Sequence, residues 1–273
     1  MKTILVPIDY SETAHNALQY AIGLAKFNKA KIVLLHAYQV PIPTTEMPVV
    51  LALPDDLEKE NIARIKTLEK EISKQLNDEV KVEHLVRMGF AVDEIMTAAK
   101  EKKADLIVMG VTGQGKLGET LIGSNATWLI QKTHTPVLVV PQGAKFKKPE
   151  KIVWAYDYRG EVPENQSKKV KEYTKLFNAN LFVLDIVKTS QVPTYENAVA
   201  GVTIEAALNG VKHSTYFPEG EDIESEINTF VDTYKADWLM MIPHKHTLFE
   251  RLFHKSNTKR MAFHTHVPLL IIH

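Results

Sequence analysis

The residues best suited to chemistry in this chain are Gly110, Gly113, Gly123, Ser124 and Asn125, set in the run Gly110-Val-Thr-Gly113-Gln-Gly-Lys-Leu-Gly-Glu-Thr-Leu-Ile-Gly123-Ser124. An apolar strand-like run, Ala104 to Met109, precedes them, and an apolar-patterned helix to Lys132 follows. Glycine lets backbone N–H groups approach an anion with no Cβ in the way. A helix start adds unpaired N–H groups and the positive end of its dipole. That chemistry is phosphate binding. Ser124 adds a hydroxyl able to reach a phosphate or Mg²⁺, and Asn125 adds a further N–H. The spacing is not the dinucleotide fingerprint, and no lysine follows Gly123 as a P-loop requires. The same glycines would also serve a tight turn and close helix packing.

The spacing resembles the nucleotide-binding motif of the universal stress protein family. The resemblance extends to the opening Thr3-Ile-Leu-Val-Pro7-Ile-Asp9-Tyr-Ser11, to Gly89 at a strand-to-helix turn and to Thr135-Pro136-Val-Leu-Val-Val140. It covers residues 1 to about 141. It implies an ATP site, with Mg²⁺, formed by Pro7, Asp9, Ala37, Gly110, Gly113, Gly123, Ser124 and Asn125. Asp9 would accept from a ribose hydroxyl, and Ala37 would offer its backbone to adenine. Asp9 would equally serve as an extra cap for the first helix. Lys116 reads as a solvated loop lysine, with neutralising a terminal phosphate as the alternative, and Glu119 as a surface carboxylate, with positioning a water as the alternative. No base or arginine finger completes a phosphoryl-transfer site, so no catalytic residue is assigned. Slow ATP hydrolysis is compatible with the family.

These residues need a scaffold. Strand and helix signals alternate, which argues for a parallel sheet with helices on both faces. Strands are expected near 2–8, 31–37, 80–87, 104–109 and 136–140. Their nearly continuous apolar runs suit strands buried on both faces. Ser11 is the expected N-cap of a helix over about 12–27. Asp55-Asp56 opens a second helix, with Leu57, Ile62, Ile65, Leu68, Ile72 and Leu76 at mostly helical spacing. A third helix spans about 91–102. The segment 39–54 holds four prolines and reads as an extended connection packed on the surface, with a mobile flap beside the nucleotide or an intersubunit contact as the alternatives.

The chain also repeats itself. Ala104 to Val140 superposes without a gap on Ala236 to Ile272, and Ile4–Asp9 aligns with Ile152–Asp157. Two α/β units are expected, residues 1–146 and 147–273, joined by a lysine-rich segment. The fold class is α/β, two tandem doubly wound sandwiches of five parallel strands each, adenine nucleotide alpha hydrolase-like by the resemblance. The apolar last strands, 137–140 and 269–272, are expected to pair inside the chain and hide two aggregation-prone edges. In the second unit Ile242, Lys245 and Lys255 replace the three glycines, while Ser256 and Asp157 persist. Long side chains would fill the cradle, so one nucleotide per chain is expected. His244, His246, His254, His264, His266 and His273 crowd the same unit, with His213 upstream. They read as scattered surface or partly buried histidines, a metal site being the alternative.

Bulk properties narrow the classes. The 273 residues carry zero net charge, 45% hydrophobic and 24% charged residues, and no cysteine. Disulfides, thiol catalysis and cysteine zinc sites are excluded. Nothing global favours nucleic acid or a membrane surface. No apolar run approaches the ~18 residues of a spanning helix, and the chain opens directly on a strand. A cytoplasmic, ATP-binding stress-response protein is expected, internally paired and open to homo-oligomer formation. A nucleotide hydrolase, an adenylate-transferring enzyme and a nucleotide-free scaffold are the alternatives.

Overall fold

The computed structural model describes residues 1–40, 54–111, 124–156, 163–187, 202–243 and 266–273. Its frame is one ten-stranded sheet in the order β3-β2-β1-β4-β5-β10-β9-β6-β7-β8. The strands are β1 (Thr3–Pro7), β2 (Lys31–Tyr38), β3 (Val82–Met88), β4 (Leu106–Gly110), β5 (Val137–Val140), β6 (Lys151–Ala155), β7 (Asn180–Leu184), β8 (His213–Tyr216), β9 (Trp238–Met241) and β10 (Leu269–Ile271). The described helices of the first half are α1 (Glu12–Asn28), α2 (Pro54–Gln75), α3 (Ala91–Glu101) and α4 (Ser124–Lys132). In the second half α5 spans Glu164–Phe177 and α6 spans Ile223–Tyr234.

Each half runs through the same strand order, counted outward from the centre. Within each half all pairings are parallel; β5 and β10 meet antiparallel, with Leu269 opposite Val139, Leu270 opposite Leu138 and Ile271 opposite Val137. The two apolar strands singled out in the sequence therefore lie side by side. The two five-stranded sets run on into one sheet, because an apolar strand with no partner would leave a row of backbone groups and buried-type side chains in water. Among the described residues no helix is long and apolar enough to cross a membrane.

Alternation of side chains across the strands divides the core into two layers. On one face Ile4, Val6, Ile32, Leu34 and Val108 pack with α1 and with Ile65 and Ile72 of α2. On the other, Leu5, Val33, Leu35, Ile107 and Met109 pack with Ile95 of α3 and Ala126, Leu129 and Ile130 of α4. This arrangement follows from the crossovers. The chain moves from β1 to β2 to β3 in one direction, then returns past β1 to β4 and β5. Right-handed connections place the outgoing and returning helices on opposite faces.

Local signals act as the sequence implies. The Ser11 side chain caps α1, accepting from the Ala14 N–H at 3.1 Å. The connection between the halves is anchored rather than free: Phe146 packs edge-on against Tyr20, ring centroids 5.4 Å apart. It also fills the space beside Gly23, where a Cβ would lie 2.6 Å from the Phe146 Cβ. A second tie between the halves is buried, Trp238 Nε1–H donating to the Tyr20 hydroxyl at 2.7 Å.

His273 adds a pH-dependent element. Lys169 Nζ donates to its carbonyl at 2.6 Å. Burial pushes its imidazole down from the usual 6.5 to about 4, and the charges of Lys169 and His134 act in the same direction. The folded chain thus holds this ring neutral, while the unfolded chain takes up its proton first. The stability it contributes is complete above about pH 6.5 and is lost as the pH falls towards about 4. Urea midpoints measured across that window should fall more steeply for the natural chain than for His273→Gln; parallel slopes would contradict the assignment.

Candidate functional site

The strand order reverses between β1 and β4. At such a switch point the two connections leave in opposite directions, so a crevice opens beyond the carboxyl ends of the strands. Here that crevice is a cleft lined by Pro7, Asp9, Ala37, Gly110, Ser124 and Asn125, among others. Six of the eight residues assigned from the sequence are brought together. Gly113 and Gly123 lie outside the described residues, as do Lys116, Glu119 and the segment 41–53.

Each wall has a local cause. β2 continues to Tyr38, whereas β1 ends at Pro7, opposite Leu35. Proline at that end fits, since it has no N–H to continue a ladder. Ile8 N–H donates to the Leu35 carbonyl at 2.7 Å, and Gly89 N–H donates to the Tyr38 carbonyl at 2.9 Å. Odd-numbered residues of β2 therefore turn their backbone groups towards β1, and even-numbered ones towards β3. Ala37 consequently presents an N–H and a C=O to the space beyond the end of β1, with no strand opposite. A planar base with an adjacent donor and acceptor could pair there.

Asp9 is engaged through one of its two carboxylate oxygens. Its Oδ1 accepts from the Ser11 N–H at 2.9 Å and from the Ser11 hydroxyl, which stabilises the turn into α1. Its Oδ2 has no protein donor among the described residues, and the side chain is exposed at the cleft. A ligand hydroxyl can use that second oxygen.

The opposite wall is the start of α4. The first N–H groups of a helix have no intrahelical acceptor, and Ser124, Asn125 and Ala126 bring this end to the cleft. Gly110 lies beside them, but its small size has a separate explanation. A Cβ at this position would lie 2.2 Å from the Thr13 carbonyl oxygen, so glycine is required for α1 to pack on the end of β4. Close packing, one of the two readings of this glycine, is realised whatever else it does.

Some lining residues had not been assigned to a site. Ser11 enters from the N-cap of α1 and Thr13 from its first turn, and Ala91 and Ile95 from α3, while Met109 also lines the cleft. Their signals were present but ambiguous: Ser11 reads as a cap, and Ile95 and Met109 read as core. At the matching place in the second half Ile242 is partly buried against the core, and Asp157, Lys245, Lys255 and Ser256 lie outside the described residues.

The described histidines of the second half lie in separate places. His213 pairs with Glu205 at 3.3 Å, and His266 with Asp232 at 2.8 Å. Among the described residues no group of three histidine or carboxylate side chains is placed to hold a metal. His244, His246, His254 and His264 lie outside those residues.

Known proteins resemble this chain in both sequence and fold. The profile of the universal stress protein family matches residues 1–141. A universal stress protein of Methanocaldococcus jannaschii is 33% identical over 156 residues, covering 55% of this chain and 84% of that protein. A second one from the same organism is 32% identical over 152 residues, covering 51% of this chain and 94% of its own length. A crystal structure of a universal stress protein from Archaeoglobus fulgidus superposes with a TM-score of 0.76 at 17% identity, covering 99% of this chain and 97% of that one. That last likeness concerns the fold, and it extends over both halves.

Proposed function

The chain belongs to the universal stress protein family, and from that premise we propose that its N-terminal unit binds ATP with Mg²⁺ and acts as a nucleotide-dependent stress-response protein. The observation that carries this reading is the convergence of Asp9, Ala37, Gly110, Ser124 and Asn125 on one cleft at the switch point of the sheet. Adenine would pair with the free backbone edge of Ala37. A ribose hydroxyl would donate to Asp9 Oδ2. The phosphates would take the N–H groups at the start of α4, with Gly113 and Gly123 completing the cradle. Ser124 would share the Mg²⁺ with the phosphates, and the ion would supply charge neutralisation.

The proposal includes an internal duplication, residues 1–146 and 147–273, with the second unit carrying no nucleotide. The repeated strand order supports it. A difference in helix placement gives it a physical basis. α1 begins at Glu12, soon after β1 ends at Pro7, whereas α5 begins at Glu164, well beyond the end of β6 at Ala155. With the helix start set further from the strand end, the matching place holds the larger Ile242, partly buried against the core.

Titration calorimetry of the full chain with Mg-ATP is the direct test. One nucleotide per chain is expected. Asp9→Ala should weaken binding by about 10- to 100-fold, the equivalent of one hydrogen bond to a charged group, roughly 1.5–3 kcal/mol. Absence of binding by the natural chain would refute the proposal, and two sites per chain would refute the silent second unit.

A further inference from the structure

Behind the cleft lies a cluster that the nucleotide reading leaves without a role. Tyr10 follows Asp9 and has a φ of 63°, in the left-handed region that side chains other than glycine seldom enter. Its ring lies beneath a guanidinium: the Arg64 Cζ is 3.6 Å from the ring centroid. The His36 ring packs on it at 5.0 Å. His36 is itself tied to the end of β1 through Nδ1 and the Ile8 carbonyl, 2.7 Å apart. The Tyr10 hydroxyl is buried with no hydrogen-bond partner, and burial raises its pKa, so the ring stays neutral.

We infer that Tyr10 and Arg64 are positioning residues for the Asp9 carboxylate, and that they act on ribose recognition without touching the nucleotide. The inference rests on the ATP reading above. The left-handed turn at Tyr10 is what lets both the N–H and the hydroxyl of Ser11 reach the same oxygen of Asp9. With Oδ1 held this way, Oδ2 has one direction left, into the cleft. A residue in such a backbone conformation needs its surroundings to hold it there. Arg64 and His36 supply that hold from two elements, α2 and β2. Stacking of a guanidinium on an aromatic face is an attractive contact, and Arg64 has an exposed position on α2.

Direct contact of Arg64 with the phosphates is disfavoured by its placement. Arg64 is not among the residues lining the cleft, and its guanidinium is stacked on the Tyr10 ring. Its effect therefore passes through Tyr10 and the turn.

The test compares two nucleotides on the intact chain. Mg-ATP carries the ribose hydroxyls that Asp9 would bind; 2′,3′-dideoxy-ATP lacks both. Arg64→Ala should weaken Mg-ATP about three- to tenfold, in the range of a stacking contact, and leave the dideoxy nucleotide unchanged. Arg64→Lys should recover part of the loss. In an Asp9→Ala background Arg64→Ala should have no further effect. Equal weakening of both nucleotides, or no weakening of either, overturns this inference while leaving the ATP site standing. A natural chain that binds neither nucleotide overturns the ATP reading and, with it, this role for the pair. Since Arg64 is exposed, an unchanged urea midpoint for Arg64→Ala confirms that folding is not what is being measured.

Discussion

Gly110→Ala should destabilise the folded chain by about 3 kcal/mol, the upper end of what overpacking usually costs, although it adds a single methyl group. The added Cβ would lie 2.2 Å from the oxygen and 2.6 Å from the carbon of the Thr13 carbonyl. Both are backbone atoms in the first turn of α1, and no rotamer change can move them aside. Relief requires α1 to lift from β4, and the turn that α1 anchors holds Asp9 at the cleft. Stability and nucleotide binding should therefore fall together. Urea denaturation followed by circular dichroism measures the first, and a midpoint equal to that of the natural chain would show that α1 does not pack this closely. Loss of ATP binding in this variant alone would not identify a phosphate contact. Gly123→Val, in a chain shown to be folded, is the cleaner probe of the cradle, and complete loss of binding is expected.

A carboxylate at the central seam should be more damaging still. Val139 is fully buried, flanked by Met109 of β4 and Leu269 of β10. Val139→Asp would bury a charge among apolar neighbours, one of the few mechanisms that reach roughly 4 kcal/mol or more. Whole domains have only about 5–15 kcal/mol of stability. The expected result is separation of β5 from β10, exposure of two apolar edges, and aggregation. Size-exclusion chromatography with light scattering should show loss of the monodisperse species, whereas Val139→Ile should retain it. A soluble Val139→Asp variant with unchanged thermal midpoint would mean that the seam contributes little to holding the halves together.

The seam and the cleft differ in how far the sequence reveals them. β1, β2, β4 and β5 were legible because a strand covered on both faces needs apolar residues along its whole length, and Ile4, Leu5, Ile32, Val33, Ile107, Val108, Leu138 and Val139 are all fully buried. β3 was legible for a weaker reason, since its residues are only partly covered at the edge of the sheet. The Ser11 cap was legible because capping is local, acting within one helical turn. The pairing of 137–140 with 269–272 could be anticipated because two apolar strands of one chain need covering.

What stayed hidden joins residues far apart in the chain. The reason for Gly110 is the carbonyl of Thr13. The partner of the Trp238 N–H is Tyr20, from the other half. Arg64 meets Tyr10 only because α2 and the end of β1 share a face of the sheet. The depressed basicity of His273 comes from burial beside Lys169 of α5. The sequence alone determined the order of elements, the glycine motif, the family and the carboxylate that could meet a ribose, because those depend on local propensity, on periodicity and on residue type. Tertiary structure decided which glycine serves packing, which oxygen of Asp9 is taken up by the turn into α1, and that ten strands form one sheet, because those depend on distances set by the crossovers and by the meeting of β5 with β10.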